Sequence, residues 1–314
     1  MHDTETAPGH AHEPAGHQHP HPPADPNGRP RIGIIGAGRV GTALGVAFSR
    51  AGWPVAAVAS RDESRRARFI RLVPTASAHD VPARLLDAVD LIFLCVPDDA
   101  VAGVAGQLRL YGGQAIVHTS GALPAKVLEP GRAAGTSAAS FHPLVAFAEV
   151  ERAVADLHGA TVALEGDEVL LSLLSDLVEA IGAQPVRLPP GGKPGYHAAA
   201  VLAAGGFIGL LDAIAEVARG AGLDEAGALA IYGPLIRQSL ANAETLGIGA
   251  ALTGPLARGD RGTVSAHLDA LRRLAPSTLG LYVAVAHREI ALAETRGDLP
   301  AERARELREL LDQS

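Results

Sequence analysis

An α/β Rossmann domain with a mostly parallel sheet, followed by an all-α C-terminal domain, is the fold that this sequence predicts. Three observations lead there. From Arg31 to Leu188, short β-branched apolar runs alternate with segments of helix length, the pattern of a parallel sheet covered on both faces. After Pro189-Pro190-Gly191-Gly192, a linker by composition, that alternation stops and the chain reads as helix throughout. The composition, 47% hydrophobic and 19% charged over 314 residues, suits two folded domains.

The elements follow in order. Ile32, Ile34 and Ile35 form a first strand buried on both faces, and a helix from Thr42 to Ala51 ends at Gly52. Val55–Ala59 is the second strand, Leu91–Val96 the third, stopped by Pro97, and Ala115–His118 the fourth. Thr161–Leu164, a helix over about 168–181 and Pro185–Leu188 add another strand–helix–strand unit. Helices are expected at about 195–220, 224–246, 262–274, 277–296 and 300–313, with Gly220, Gly222, Gly247 and Gly297 at their ends. The apolar stretch Ala198–Leu211 is shorter than the roughly 20 residues of a membrane span and reads as a buried core helix. The domain limits are 1–30 for a tail, 31–190 and 191–314.

The tail is different material. It carries seven prolines and six histidines but no Val, Ile, Leu or Phe, so it is expected to be disordered. Its histidines, His10, His12, His17, His19 and His21, offer imidazoles to a metal such as Zn or Ni as an alternative role. No metal site is expected in the folded part. One cysteine, Cys95, excludes an internal disulfide framework. The net charge of -7 argues against general nucleic-acid affinity, and a soluble cytoplasmic setting without membrane contact is expected.

The chemistry begins at Gly36-Ala37-Gly38-Arg39-Val40-Gly41. Closing a strand and opening a helix, this run fits dinucleotide binding. Gly36 permits the turn, Gly38 the approach of a pyrophosphate, and Gly41 close helix–strand packing. The helix N-terminus supplies amides and a positive dipole end. At the end of the second strand, an acid would select NAD; Ser60 and Arg61 stand there instead and suit the 2′-phosphate of NADP. Asp62, one residue late for the acidic role, keeps NAD open as the less favoured cofactor.

Four further segments converge beyond the carboxyl ends of the strands. Val96 and Pro97 are expected to pass near the nicotinamide, and His118 and Ser120 follow the next strand. His142 is held extended before Pro143. Lys193 precedes Pro194 at a helix start, where the helix dipole opposes its charge, and His197 lies one turn on. Each has a plainer reading: Ser120-Gly121 as a turn, His142 as a structural histidine. Arg258 is a candidate for a substrate carboxylate, against an internal pair of Arg258 or Arg261 with Asp260.

Four blocks, HTSGAL (118–123), SFHPLVAF (140–147), KPGYHAAAV (193–201) and LTGPLARGD (252–260), resemble a bacterial family that joins a Rossmann-like domain to a helical domain of unknown function. The layout is also similar to the β-hydroxyacid and 6-phosphogluconate dehydrogenase superfamily. That resemblance implies that Ser120 orients substrate and Lys193 is catalytic, while His197 stands where the superfamily has Asn. His-Pro-Leu resembles the turn of prephenate dehydrogenase-like enzymes, and ketopantoate reductases share the two-domain architecture. The expected function is an NADP-dependent oxidoreductase reducing a carbonyl or imine of a small anionic metabolite, such as a 2-keto acid. Lys193, His142 and His197 compete as proton donor, and a non-catalytic NADP(H) sensor is the alternative. The surplus of apolar helix predicts a homodimer built by the helical domain.

Overall fold

The structure is a computed structural model that describes residues 28–132 and 135–314. The expected disorder and metal binding of the tail fall on residues 1–27, outside the described residues. Two compact units emerge, dividing between Ala200 and Val201.

The first unit runs β1 (Ile32–Ile35), α1 (Arg39–Arg50), β2 (Val55–Ala59), α2 (Glu63–Leu72), β3 (Ser77–His79) and β4 (Leu91–Leu94). It continues with α3 (Asp98–Gln107), β5 (Ala115–His118), β6 (Ser137–Pro143), α4 (Val150–Asp156), β7 (Thr161–Gly166), α5 (Glu168–Ala180), β8 (Gln184–Arg187) and α6 (Lys193–Val201). Among the described residues the strands make one eight-stranded sheet in the order β3-β2-β1-β4-β5-β6-β7-β8. The parallel pair β1 and β4 marks the point where the order of strand addition reverses, which is where ligands bind in such sheets.

Two strands escaped the sequence reading. β3 is three residues long and carries no apolar alternation. β6 was visible only as the apolar end Phe141–Pro143, because Ser137 and Ser140 interrupt its pattern. The sheet is also not parallel throughout: β6 and β7 pair antiparallel, with Ser140 opposite Glu165 and Pro143 opposite Val162.

The strands β1 and β4 are apolar on both faces and wholly enclosed. Beneath α1, Phe48, Phe93 and Phe141 meet with ring centroids 5.1 to 5.9 Å apart, two of the three contacts edge to face. α1 reaches this layer because its inner face is small. At Gly45 a Cβ would lie 2.5 Å from the Phe69 ring.

The second unit is helical: a π-helical turn (Leu202–Gly206), α7 (Phe207–Gly220), α8 (Glu225–Leu246), the short α9 (Ile248–Ala251) and α10 (Pro255–Arg258), then α11 (Arg261–Leu274), α12 (Leu279–Arg296) and α13 (Ala301–Asp312). Leu256, Val264, Leu268, Ile290, Leu307 and Leu311 are the center of its core. Asp224 and Asp260 cap α8 and α11 through their carboxylates.

One expectation fails here. The stretch Ala198–Leu211 is no buried core helix: residues 201–210 are all exposed. The Gly205-Gly206 pair falls in the π turn, where the hydrogen-bond ladder is already irregular. By length and composition alone, the helical run Lys193–Gly220 could cross a membrane.

Candidate functional site

The glycine loop does what each glycine's position demands. Gly36 has φ +106°, and a Cβ there would lie 2.3 Å from the Cys95 carbonyl oxygen. At Gly41 a Cβ would lie 2.1 Å from the Gly36 oxygen and 3.0 Å from Ile34, so α1 could not pack onto β1. Gly38 is different: nothing lies within 4 Å of its Cβ position, so the space is open on the side where a phosphate would come. Gly38 is also the N-cap of α1, with no side-chain cap and no acid in the first turn. The first amides of α1, from Arg39 and Val40 to Gly41, keep their anion-binding capacity. Arg39 is exposed and donates to the Ala148 carbonyl at 3.2 Å.

At the end of β2, Asp62 is committed elsewhere. Its carboxylate accepts from the Arg65 amide at 3.1 Å and the Ser64 hydroxyl at 2.7 Å, capping α2. These bonds hold its carboxyl below the usual range. Arg66 is likewise engaged, donating to the Ser60 carbonyl. Arg61 is exposed and makes no hydrogen bond or ion pair among the described residues.

The polar cluster lies on the other side of the β1/β4 switch. One row of paired residues crosses the sheet through Leu94, His118, Ser140 and Glu165. Just beyond it, at the carboxyl edge, come Val96 and Pro97, which is the N-cap of α3, and then Asp98.

His118 is fully buried: its Nδ1 accepts from the Ser120 amide at 3.2 Å, and its Nε2 lies 3.3 Å from the Pro124 carbonyl. Both nitrogens thus serve the turn. Burial, with the Lys193 charge nearby, pushes its pKa down to about 4. Ser120 Oγ donates to Asp98 at 2.8 Å and accepts from the Ala122 and Leu123 amides.

Lys193 opens α6 and is wholly buried, its Nζ donating to the Ser120 carbonyl at 2.7 Å. Burial lowers its pKa to about 8 against the opposing pull of Glu165 and Asp98. His142 lies 3.2 Å through Nδ1 from the Tyr196 hydroxyl, and its ring meets those of Tyr196 and His197 edge to face, at 5.7 and 5.6 Å. Burial and then the charge of Lys193 push His142 down to about 4. His197 Nδ1 is buried without a hydrogen-bond partner.

Gly121 explains how the rings come so close. A Cβ there would lie 2.3 Å from His197 Nδ1 and 2.6 Å from His142 Nε2.

Lys193, Ser120, His142 and His197 therefore share one site with His118. Arg258 lies in the helical unit, exposed on α10. Its charge adds to the two Thr263 hydrogen bonds that hold the Asp260 carboxyl low. The sequence reading missed Asp98, Tyr196 and Glu165. Asp98 directly follows the Val96-Pro97 pair already singled out, and Tyr196 stood inside the KPGYHAAAV block, three residues after Lys193 and so on the same helix face. Glu165 joins through antiparallel pairing of distant strands, which no local pattern signals.

Comparisons with known proteins agree with this architecture. The Rossmann-like domain family matches residues 20–143, and the domain of unknown function DUF2520 matches residues 160–289. No curated protein matches in sequence. A protein of known structure from Thermotoga maritima is 26% identical, with TM-score 0.66 over 84% of this chain and 99% of that one. The 1-pyrroline-5-carboxylate reductase of Streptococcus pyogenes is 19% identical, with TM-score 0.60 over 85% and 99%. The reductive aminase of Aspergillus terreus, in complex with NADPH and ethyl levulinate, is 18% identical, with TM-score 0.63 over 91% and 99%. These last two likenesses are of fold. The chain thus carries, in sequence order, one region that matches the Rossmann-like domain family and one that matches the DUF2520 family.

Proposed function

We propose that this chain is an NADP-dependent oxidoreductase that reduces a carbonyl or imine of a small metabolite. The observation that carries the reading is the pairing of two halves along one sheet edge. On one side of the switch are an open, uncapped glycine loop and an unpaired Arg61. On the other is a buried lysine among histidines and carboxylates. Gly36, Gly38, Arg39, Val40 and Gly41 would hold the pyrophosphate, Ser60 and Arg61 the 2′-phosphate, with Val96 and Pro97 alongside the nicotinamide half. The availability of Arg61, with Asp62 tied into its cap, fits NADP better than NAD. When bound, the reduced nicotinamide supplies hydride. The names of two fold neighbours, a pyrroline carboxylate reductase and a reductive aminase bound to NADPH, support the same reading.

Lys193 places a positive charge beside the turn, where hydride addition builds negative charge on the substrate heteroatom. In so enclosed a site that charge is felt strongly. Ser120 and Asp98 fix the turn, and His142 and His197 pack against it at Gly121. Arg258 would bind a substrate carboxylate, as in a 2-keto acid of the ketopantoate type.

The functional unit is a homodimer in the cytoplasm, with a second copy covering the apolar face of the helical unit. Residues 201–210 are exposed without a break, and Leu235, Leu240 and Leu246 on α8 are exposed as well. A cavity of about 440 Å³, lined by Leu210, Ile214, Leu235, Leu281 and Val285, offers a seat for partner side chains. The reading requires neither membrane nor nucleic acid.

Oxidation of NADPH against a panel of 2-keto acids and cyclic imines tests the activity. Turnover on any of them supports a reductase. Tight NADPH binding without turnover on any would favour a sensor.

A further inference from the structure

Two groups of this cluster compete to deliver a proton, and their surroundings differ. The Lys193 ammonium is sealed under the Ser120 carbonyl, with no exposed surface. Tyr196, one helical turn further along α6, is half-buried. Its hydroxyl is held by His142 Nδ1 at 3.2 Å, and its ring stands at 88° to the imidazole. The imidazole is itself confined: it ends β6 before Pro143, and Gly121 brings His197 against its other side.

Resting on the reductase reading above, the geometry points to Tyr196 as the residue that protonates the substrate heteroatom. In this arrangement His142 donates from Nδ1–H to the phenol oxygen, while Lys193 holds the Ser120–Gly121 turn and supplies the positive charge without giving up its proton.

The electrostatics suit that assignment. Burial pushes the Tyr196 phenol up to about 12, so it keeps its proton throughout the working range. His142, pushed down to about 4, is a neutral ring with a single N–H. With that hydrogen on Nδ1, the ring donates to the phenol oxygen, and the Tyr196 O–H is free to turn to the substrate. With it on Nε2, the phenol would be tied up donating to Nδ1.

The transfer balances. As the substrate carbon accepts hydride from the reduced nicotinamide, the π pair of the C=O or C=N bond moves to the heteroatom. The Tyr196 O–H bond then breaks as the new O–H or N–H bond forms. The phenolate, held by the His142 N–H, regains its proton from water.

Two measurements test this. Nitrogen NMR of the chain without cofactor, assigned with His142→Gln, should show His142 as the Nδ1–H tautomer, with its signals displaced in Tyr196→Phe. An Nε2–H tautomer would overturn the assignment. In steady-state assays with NADPH, the probes are pyruvate and the cyclic imine 1-pyrroline. Tyr196→Phe should lower kcat about 10²–10⁴-fold for the keto acid, the range of a lost general acid. The same loss is expected for the imine at high pH, where it is neutral. At low pH the iminium brings its own proton, and the variant should stay within a few-fold of wild type, with KM and NADPH affinity kept. Wild-type kcat in the variant on a substrate that needs a proton would overturn the role of Tyr196 and leave the reductase reading standing. No turnover by the wild type on either probe, with NADPH bound, would overturn both.

Discussion

The two units solve the burial of apolar residues differently. In the α/β unit, β1 and β4 are enclosed to the last residue, with Ile32, Ile34 and Leu91–Leu94 at 0% exposure. In the helical unit, Leu202 is 73% exposed, Ile208 64% and Ile248 73%. The sheet finishes its own core within the chain, because helices from the same segment cover both of its faces. The helical unit finishes only the part around Leu268 and Ile290. Each such side chain left in water forgoes roughly 1.5–3 kcal/mol of burial, which is a strong incentive for association.

The most direct way to break this contrast is to charge the exposed face. Leu202→Glu with Ile208→Glu should convert a dimer, at twice the chain mass of 32.1 kDa, into a monomer in sedimentation. NADPH binding by the α/β unit should persist. A wild-type chain that sediments as a monomer at micromolar concentration ends the dimer proposal.

The next effect sharpens the functional half of the α/β unit. Lys193→Met should lower kcat by about 10²-fold or more, within the range of losing one preorganised charged donor, with NADPH affinity nearly unchanged. The sign of the pH profile adds a readout that mere misfolding would not mimic. Lys193, lowered to about 8, loses its charge as pH rises through that value, so wild-type kcat should fall there. The variant should lack that limb. Near-normal turnover in Lys193→Met with collapse in His142→Ala would instead give the central role to the histidine.

A smaller effect concerns stability. His118 and His142 sit near 4 when folded, against 6.5 as free groups. Below pH 6.5 the unfolded chain therefore binds more protons than the folded one. Stability should fall as pH drops from 6.5 to about 4 and level off beneath, as far as these groups decide it. Calorimetry should show a shallower fall of Tm in His118→Gln. Parallel curves for the two proteins would contradict the buried-neutral assignment.

Much of this was legible in the sequence, for identifiable reasons. The glycine loop was readable because three glycines, two sterically required and one left open, fall within six residues. Strand β5 was readable because Ala115, Ile116 and Val117 form an unbroken apolar run. The helical unit was readable because Gly247 and Gly297 punctuate it. What stayed hidden depended on pairing. β6 was broken by its serines, and Glu165 reaches the site only through the antiparallel β6–β7 ladder. The role of Asp62 as a helix cap rather than a ribose ligand needed the direction of its carboxylate. The exposure of residues 201–210 was hidden for the opposite reason: an apolar helix has the same sequence whether its own chain or a second copy covers it.

The central claim is that this edge binds NADP and selects it through Arg61. Isothermal titration of NADPH and NADH into the wild type and Arg61→Ala tests it most directly. NADPH should bind the wild type at least about 10-fold more tightly than NADH, worth about 1.4 kcal/mol. Arg61→Ala should erase most of that difference and leave NADH binding as it was. Equal affinities of the wild type for the two cofactors would contradict the account.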